Sequence, residues 1–349
     1  MRARAGGTAA EEAAAPWKAS WRRPGRGTAK GLSSWTRGRV QLSWTRGRVL
    51  AATAVLTAIL LAFHRTVPNS PGHLGSLLES FLPWSGLVIM VLLVLSLLRR
   101  SLLALAALVL PVAAWACLFG GLLLPEAEPG AHDLVVVQHN AGDENTDPAG
   151  TARSLADAEP DLIALEELVP AALPVYERTL APRYPYRAVA GTVGLWSKHP
   201  LTDVDTVDIR PAEITEPWSR GLRAVVHVRH REIAVYVAHL PSVRIRSTGL
   251  ASSWRDESAG LLGKVIADDE LRTALLLGDF NSTLDDRGLT PLTSRMNVPR
   301  RGFAFSFPAA FPVARIDQVM ARSATVGHLR TLPATGSDHL PVIARITLD

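Results

Sequence analysis

The chain has 349 residues, 48% of them hydrophobic, and a net charge of +5 that is unevenly spread. Residues 1–50 hold 11 Lys/Arg against 2 Asp/Glu and residues 51–125 hold 3 against 1, which leaves residues 126–349 at −6. An acidic C-terminal part argues against a domain that grips a polyanion, and a single cysteine, Cys117, excludes an intrachain disulfide.

Residues 1–48 are rich in Ala, Gly, Arg and Ser, and SWTRGRV at Ser34–Val40 recurs at Ser43–Val49. With no apolar periodicity they read as a disordered basic cytoplasmic tail. Docking on anionic headgroups is the alternative, since Trp and Arg suit a membrane interface. Three apolar segments follow. Val49–Phe63 is short, but Arg48 and Arg65 can reach outward along their stems and extend it to 49–65. Segments 81–98 and 102–124 reach the roughly 17–20 residues that a bilayer requires. Pro111 inside the third predicts a kink. The basic tail and Arg99-Arg100 are both cytoplasmic only if all three segments span. That topology predicts a multi-pass protein of the cell membrane, in contact with the lipid bilayer, its N-terminus cytoplasmic and its C-terminal part extracytoplasmic. Residues 125–132 read as a polar linker to a domain at 133–349.

That domain opens with a predicted strand, Leu134–Gln138, and a helix over Pro148–Ala158. A strand over Asp161–Leu168 and a helix over Ala171–Leu180 follow. Next come strands over Tyr186–Val189, Val193–Trp196, Arg223–Arg229 and Ile233–Ala238, with a hairpin turn at Arg229–Glu232. A helix over Trp254–Asp268 leads to an apolar strand, Thr273–Leu277, and late strands lie at Asp317–Met320 and Val342–Ile346. This alternation predicts two mixed sheets packed together with helices outside.

Polar residues gather where these strands end: His139-Asn140, Glu166-Glu167, His239, Asp279 with Asn281, Asp317, and Ser337-Asp338-His339. Asp279 and Asn281 stand at i and i+2, so an extended chain aims both one way from a buried strand end, where open α/β sheets bind ligands. An Asx turn explains the same four residues, GDFN, without chemistry. A carboxylate set suits a hard cation, and an Asp beside a His holds it protonated and oriented. Arg223 could reach a phosphate, although a strand-edge surface role also accounts for it. Loops such as Ser242–Ser253 and Asp285–Phe303 are expected to select substrate; Arg244 and Arg246 in the first could meet an anionic headgroup, although a solvated loop also accounts for them.

The order HN, LEE, VAHL, GDFN, RIDQV, SDH resembles the endonuclease/exonuclease/phosphatase superfamily over residues 133–349. The resemblance implies a four-layer α/β/β/α sandwich, here behind an N-terminal bundle of three transmembrane helices. It implies metal-dependent hydrolysis of phosphate esters, with Mg²⁺ as cofactor or Mn²⁺ in its place. By motif, Glu167 is the metal carboxylate with Asn140 beside it, and Asp338 lies on the metal side. Asp279 is the base or orienter of the attacking water, and Asn281 binds phosphate or nucleophile. His239 and His339 contact phosphoryl oxygens, and Asp317 orients His339. The chain departs from the pattern at Gly142, where a second Asn or Asp is usual and Asp143 or Glu144 stands nearby. It departs again at Glu166, where Gln is usual, and at Gln318, where many members carry an aromatic residue or His. Three spans before such a domain also resemble membrane-anchored actinobacterial members of the teicoplanin-resistance type. That likeness implies lipid-linked phosphates or pyrophosphates of cell-wall synthesis as substrate. A tethered nuclease and a non-catalytic envelope sensor are the competing expectations. The acidic domain weighs against the first, and retention of both His, GDFN and SDH against the second.

Overall fold

A computed structural model of the chain describes residues 47–125 and 131–349. The expected tail, save its last two residues, and most of the linker lie outside the described residues. The apolar N-terminal stretch folds as helices α1 (Arg48–Ala62), α2 (Leu74–Ser80), α3 (Ser85–Leu98), α4 (Leu102–Ala107) and α5 (Val109–Phe119). Helix breaks at Leu108 separate α4 from α5, because Pro111 offers no amide hydrogen to the carbonyl of Ala107. Of the three expected spans, Leu102–Leu123 has the length and composition to cross a membrane, at 22 residues. The second expected span is continuous with α2 through a 61° bend, and α1 is a shorter apolar helix. Ala54, Leu61, Ile89, Leu92, Leu108 and Phe119 form a common core among these helices. Their outer faces leave Leu56, Leu87, Val91, Leu98 and Leu110 exposed.

The remaining chain begins with β1 (Leu134–Asn140), α6 (Pro148–Asp157), β2 (Leu162–Glu166) and α7 (Leu173–Leu180). Then come β3 (Tyr186–Ala190), β4 (Val193–Ser197), β5 (Leu201–Thr206), β6 (Gly221–Val228) and β7 (Arg231–Ala238). A small hairpin of β8 (Arg244–Arg246) and β9 (Gly249–Ala251) precedes α8 (Ser253–Asp268), β10 (Ala274–Asp279) and α9 (Thr290–Thr293). The chain closes with β11 (Asp317–Arg322), β12 (Ala324–Val326), β13 (Arg330–Thr331) and β14 (Val342–Leu348). One sheet runs β12-β14-β1-β2-β4-β3, with β13 also on β14, and the other runs β11-β10-β7-β6-β5. Pairs β1–β2 and β7–β10 are parallel.

Strand alternation assigns each residue to a layer. Leu134, Val136, Leu162 and Ala164 face Val235, Val237, Leu275 and Val319 between the sheets. Val137, Ile163 and Leu165 turn outward onto Leu155 and Tyr176 of α6 and α7. Tyr236, Leu276 and Met320 turn the other way onto Leu262 and Ile266 of α8. The mixed α/β sandwich is therefore helix, sheet, sheet, helix, as the resemblance implied. Strands covered on both faces read as unbroken apolar runs, which is why β1 and β10 stand out in the sequence. The polar edge strand β5 is almost wholly exposed and carries no such signal.

Candidate active site

Strand register brings the polar strand ends together. Asn140 is paired with Glu166 across β1 and β2, and Asp279 with Asp317 across β10 and β11. Parallel β1, β2, β7 and β10 all end at this rim, which places His239, one residue beyond β7, beside them. Gly278 sits at φ 158 with the Ala238 carbonyl where a Cβ would project, so β10 can approach β7 this closely only with glycine there.

Asp279 is the hub. Asn140 Nδ2 donates to its Oδ2 at 3.0 Å, and the Asn281 amide N–H donates to its Oδ1 at 2.8 Å. Asn281 Nδ2 lies 3.3 Å from the same carboxylate and 3.4 Å from His239 Nε2, and donates to the Leu240 carbonyl at 3.0 Å. The Asx turn and the paired site are thus one structure: the turn, with Asn281 at φ 49, swings its carboxamide back toward Asp279. His239 Nε2 stands 3.6 Å from Asp279 Oδ2 and 3.7 Å from Glu167 Oε1. His339 Nε2 is 3.8 Å from Asp279, while its Nδ1 is 2.9 Å from Asp317 Oδ2. Ser337 Oγ accepts from the His339 amide at 3.0 Å and donates to the Asn140 carbonyl at 2.8 Å, tying the SDH segment to β1.

The electrostatics separate the two histidines. Burial alone would lower the His339 pKa, but the charge and hydrogen bond of Asp317, with Asp279 behind it, raise it to about 10. Burial opposes ionisation of Asp317 too, yet His339 and hydrogen bonds from Ser306 and Gln138 hold its pKa below the usual value. Asp317 and His339 therefore form an ion pair. Burial, with the nearby cations Arg220 and His339, pushes His239 down to about 3, so it is neutral. Burial lifts Asp279 to about 7 despite the pull of His339.

A family model described as the endonuclease/exonuclease/phosphatase family matches residues 137–339. The chain belongs to this family. Family membership brings the coarse chemistry: metal-dependent hydrolysis of phosphate esters. Solved structures share the fold. Humanized D. rerio TDP2 is 18% identical, with TM-score 0.52, over 61% of this chain and 98% of that one. An endonuclease/exonuclease/phosphatase from Bacteroides vulgatus is 17% identical, with TM-score 0.50, over 63% and 100%. A functionally unknown conserved protein from Enterococcus faecalis is 13% identical, with TM-score 0.51, over 62% and 100%. No curated protein matches the chain in sequence.

Within this family site, the metal is the remaining question. Donor atoms of Asp279, Asp317 and His339 lie within 4.8 Å of one another, a spacing compatible with an ion. Asp317, however, already accepts from Gln138 Nε2 at 3.0 Å and pairs with His339, so its oxygens are committed. Glu167 has spare capacity. It sits one residue past β2 at φ 56, which turns its partly exposed carboxylate toward the cavity while Glu166 remains inside. The Asp143 amide donates to Glu167 Oε2 at 3.2 Å. The carboxylate of Glu167 and the carboxamide oxygen of Asn140, which also accepts from the Gly142 amide at 3.0 Å, are the hard donors that a divalent cation such as Mg²⁺ takes, so the donor set fits one. Asp338 lines the same cavity but is exposed at its rim.

The departures from the family pattern now have structural accounts. Glu166 is wholly buried, and burial followed by the charge of Asp317 raises its pKa well above normal. Its Oε2 lies 2.8 Å from Gln138 Nε2, so it braces the site from beneath. Gln318 donates to the carbonyls of Ser282 and Arg315 at 3.2 and 2.7 Å, holding the loop after GDFN. Asp143 and Glu144 line the cavity beside Gly142. Arg223 is not at the site: it pairs with Asp269 on the outer face, Nε to Oδ2 at 2.7 Å. The arginine that sequence reasoning missed is Arg220. Its carbonyl accepts from the His239 amide at 2.9 Å, and its guanidinium packs 5.2 Å over the Trp218 ring in the field of Glu167 and Asp279. The signal was its place just before β6, a strand that starts at the rim beside the end of β7, three residues ahead of Arg223.

Proposed function

We propose that the chain is a membrane-anchored phosphoesterase acting on extracytoplasmic phosphate esters. The carrying observation is that Asp279, with pKa about 7, Asn281 and a charged His339 line one cavity, with Asp317 bonded behind His339 and a neutral His239 3.6 Å from Asp279. Asp279 is poised to take a proton from an attacking water near neutral pH. Asn281 orients that water or a phosphate oxygen. The His339 imidazolium donates to a phosphoryl oxygen as charge develops there, and its Asp317 partner preserves that proton. His239 offers a neutral ring to the opposite oxygen. Glu167 and Asn140, with Asp338 at the rim, would hold a divalent cation, Mg²⁺ or Mn²⁺, which supplies charge neutralisation to the phosphate when bound.

The exposed apolar faces of α1, α3 and α5 support a bilayer setting, and the charge pattern supports three spans with the catalytic domain outside. We extend the reading to lipid-linked phosphates or pyrophosphates of cell-wall synthesis and to glycopeptide resistance, on the resemblance noted above. The test is divalent-metal-dependent phosphate release by the full chain from polyprenyl pyrophosphate, sphingomyelin and DNA in parallel. Release from the first, falling by about 10²-fold or more in Asp279→Ala and His339→Ala, is the expected result. Wild-type rates in both variants would overturn the site, and hydrolysis of DNA alone would make the chain a tethered nuclease.

A further inference from the structure

The helical segment does more than sit beside the catalytic domain. Glu79 at the end of α2 is fully buried and is bonded by Arg287, Nε to Oε2 and Nη2 to Oε1, both at 2.8 Å. Arg287 lies six residues beyond Asn281. Trp84 Nε1 donates to the Val313 carbonyl at 2.8 Å and its ring stacks on Phe305 at 5.6 Å. The Leu250 amide donates to the Gly72 carbonyl at 2.8 Å. Gly249, at φ 121, could carry no Cβ without striking that same residue. Helices, hairpin and catalytic loops are thereby held together around one cavity.

That cavity, of about 690 Å³, has a lining of two chemical kinds. Asp143, Glu167, Asp279, Asn281 and His339 supply polar groups, and Phe81, Ile245, Leu250 and Val313 supply an apolar arm. The β8–β9 hairpin sorts its own residues between two cavities. Ile245 pairs with Leu250 and both face the catalytic cavity, whereas Arg244 and Arg246 face a neighbouring cavity with Arg220 and Trp254. Of the apolar residues, Phe81 is 43% exposed and Ile245 64% exposed. Apolar side chains left open beside a phosphate-handling site call for a hydrocarbon occupant.

We propose that this arm, between Phe81 and the Ile245–Leu250 face of the hairpin, holds the hydrocarbon chain of an amphiphilic phosphate ester whose phosphate lies at Asp279, Asn281 and His339. The proposal rests on the phosphoesterase reading for the polar groups only. The helical segment is then a wall of the substrate site, and Phe81 and Ile245 determine chain specificity.

Equilibrium binding of alkylphosphonates of two to ten carbons tests this, using the full chain in nanodiscs with partition into empty nanodiscs subtracted. Affinity is expected to rise with chain length by up to about fourfold per methylene. Phe81→Ser and Ile245→Ser are expected to flatten that slope, and Ile245→Leu to preserve it. Equal affinity for short and long chains, or an unchanged slope in both serine variants, overturns the proposal. Turnover of the matching alkyl phosphates is measured alongside. A binding slope without turnover in any divalent cation sinks the phosphoesterase reading and leaves the chain site standing.

Discussion

Replacing Arg287 with Met removes the clamp between the helical segment and the loop that follows Asn281. Besides its two bonds to Glu79, the guanidinium donates to the carbonyls of Val67 and His64 at 2.9 and 3.2 Å. After the substitution Glu79 keeps one donor, the residue-287 amide, at 3.0 Å. A carboxylate so stranded stays buried without its partner, and a buried pair that loses one member is destabilised by roughly 3–5 kcal/mol. Arg287→Met is therefore expected to destabilise the docked state by about 3–5 kcal/mol. The double replacement Glu79→Leu with Arg287→Met is expected to recover most of the loss, since no charge is left buried. Thermal unfolding of the full chain, with hydrogen exchange of residues 282–290, reads the effect. A loss below about 1 kcal/mol, the worth of a surface pair, would refute the reasoning. So would a double variant no more stable than the single one.

Three further outcomes are expected. In chelated protein, Asp317 raises the His339 pKa from its ordinary 6.5 to about 10 against the effect of burial, so its pair with Asp317 stabilises fully below about pH 6.5 and fades as pH rises through about 10; Asp317→Asn should flatten that decline in melting temperature, and an unaltered profile would count against the pair. Chelation should abolish turnover and Mg²⁺ restore it, with Glu167→Gln raising the metal concentration needed by at least about tenfold; an unchanged metal requirement would remove Glu167 from the ligand set. A C-terminal reporter that works only outside the cytoplasm should be active, and activity solely of a cytoplasmic one would reverse the three-span topology.

The catalytic domain was legible because its strands are buried on both faces. Such strands need continuous apolar residues, so the few polar ones at their ends are conspicuous, and Asn140, His239, Asp279, Asp317 and His339 could be read without coordinates. The roles of neighbouring pairs were less legible. Glu166 and Glu167 are adjacent in sequence, but only the φ of 56 at Glu167 shows which faces the cavity. Arg220 and Arg223 are equally close, and the side each takes depends on Asp269 and Trp218, distant in sequence or on a neighbouring loop.

By itself the sequence determined the family chemistry, the identity of the rim residues and the apolar character of residues 49–124, because each depends on local pattern and residue type. Only the tertiary structure decided that Glu79, Phe81 and Trp84 of the apolar stretch meet Arg287, Ile245 and Val313 around one cavity. Those contacts join residues some 160 to 230 positions apart. Distant packing of this kind leaves no periodicity in the chain, so GDFN could be recognised in the sequence while the wall facing it could not.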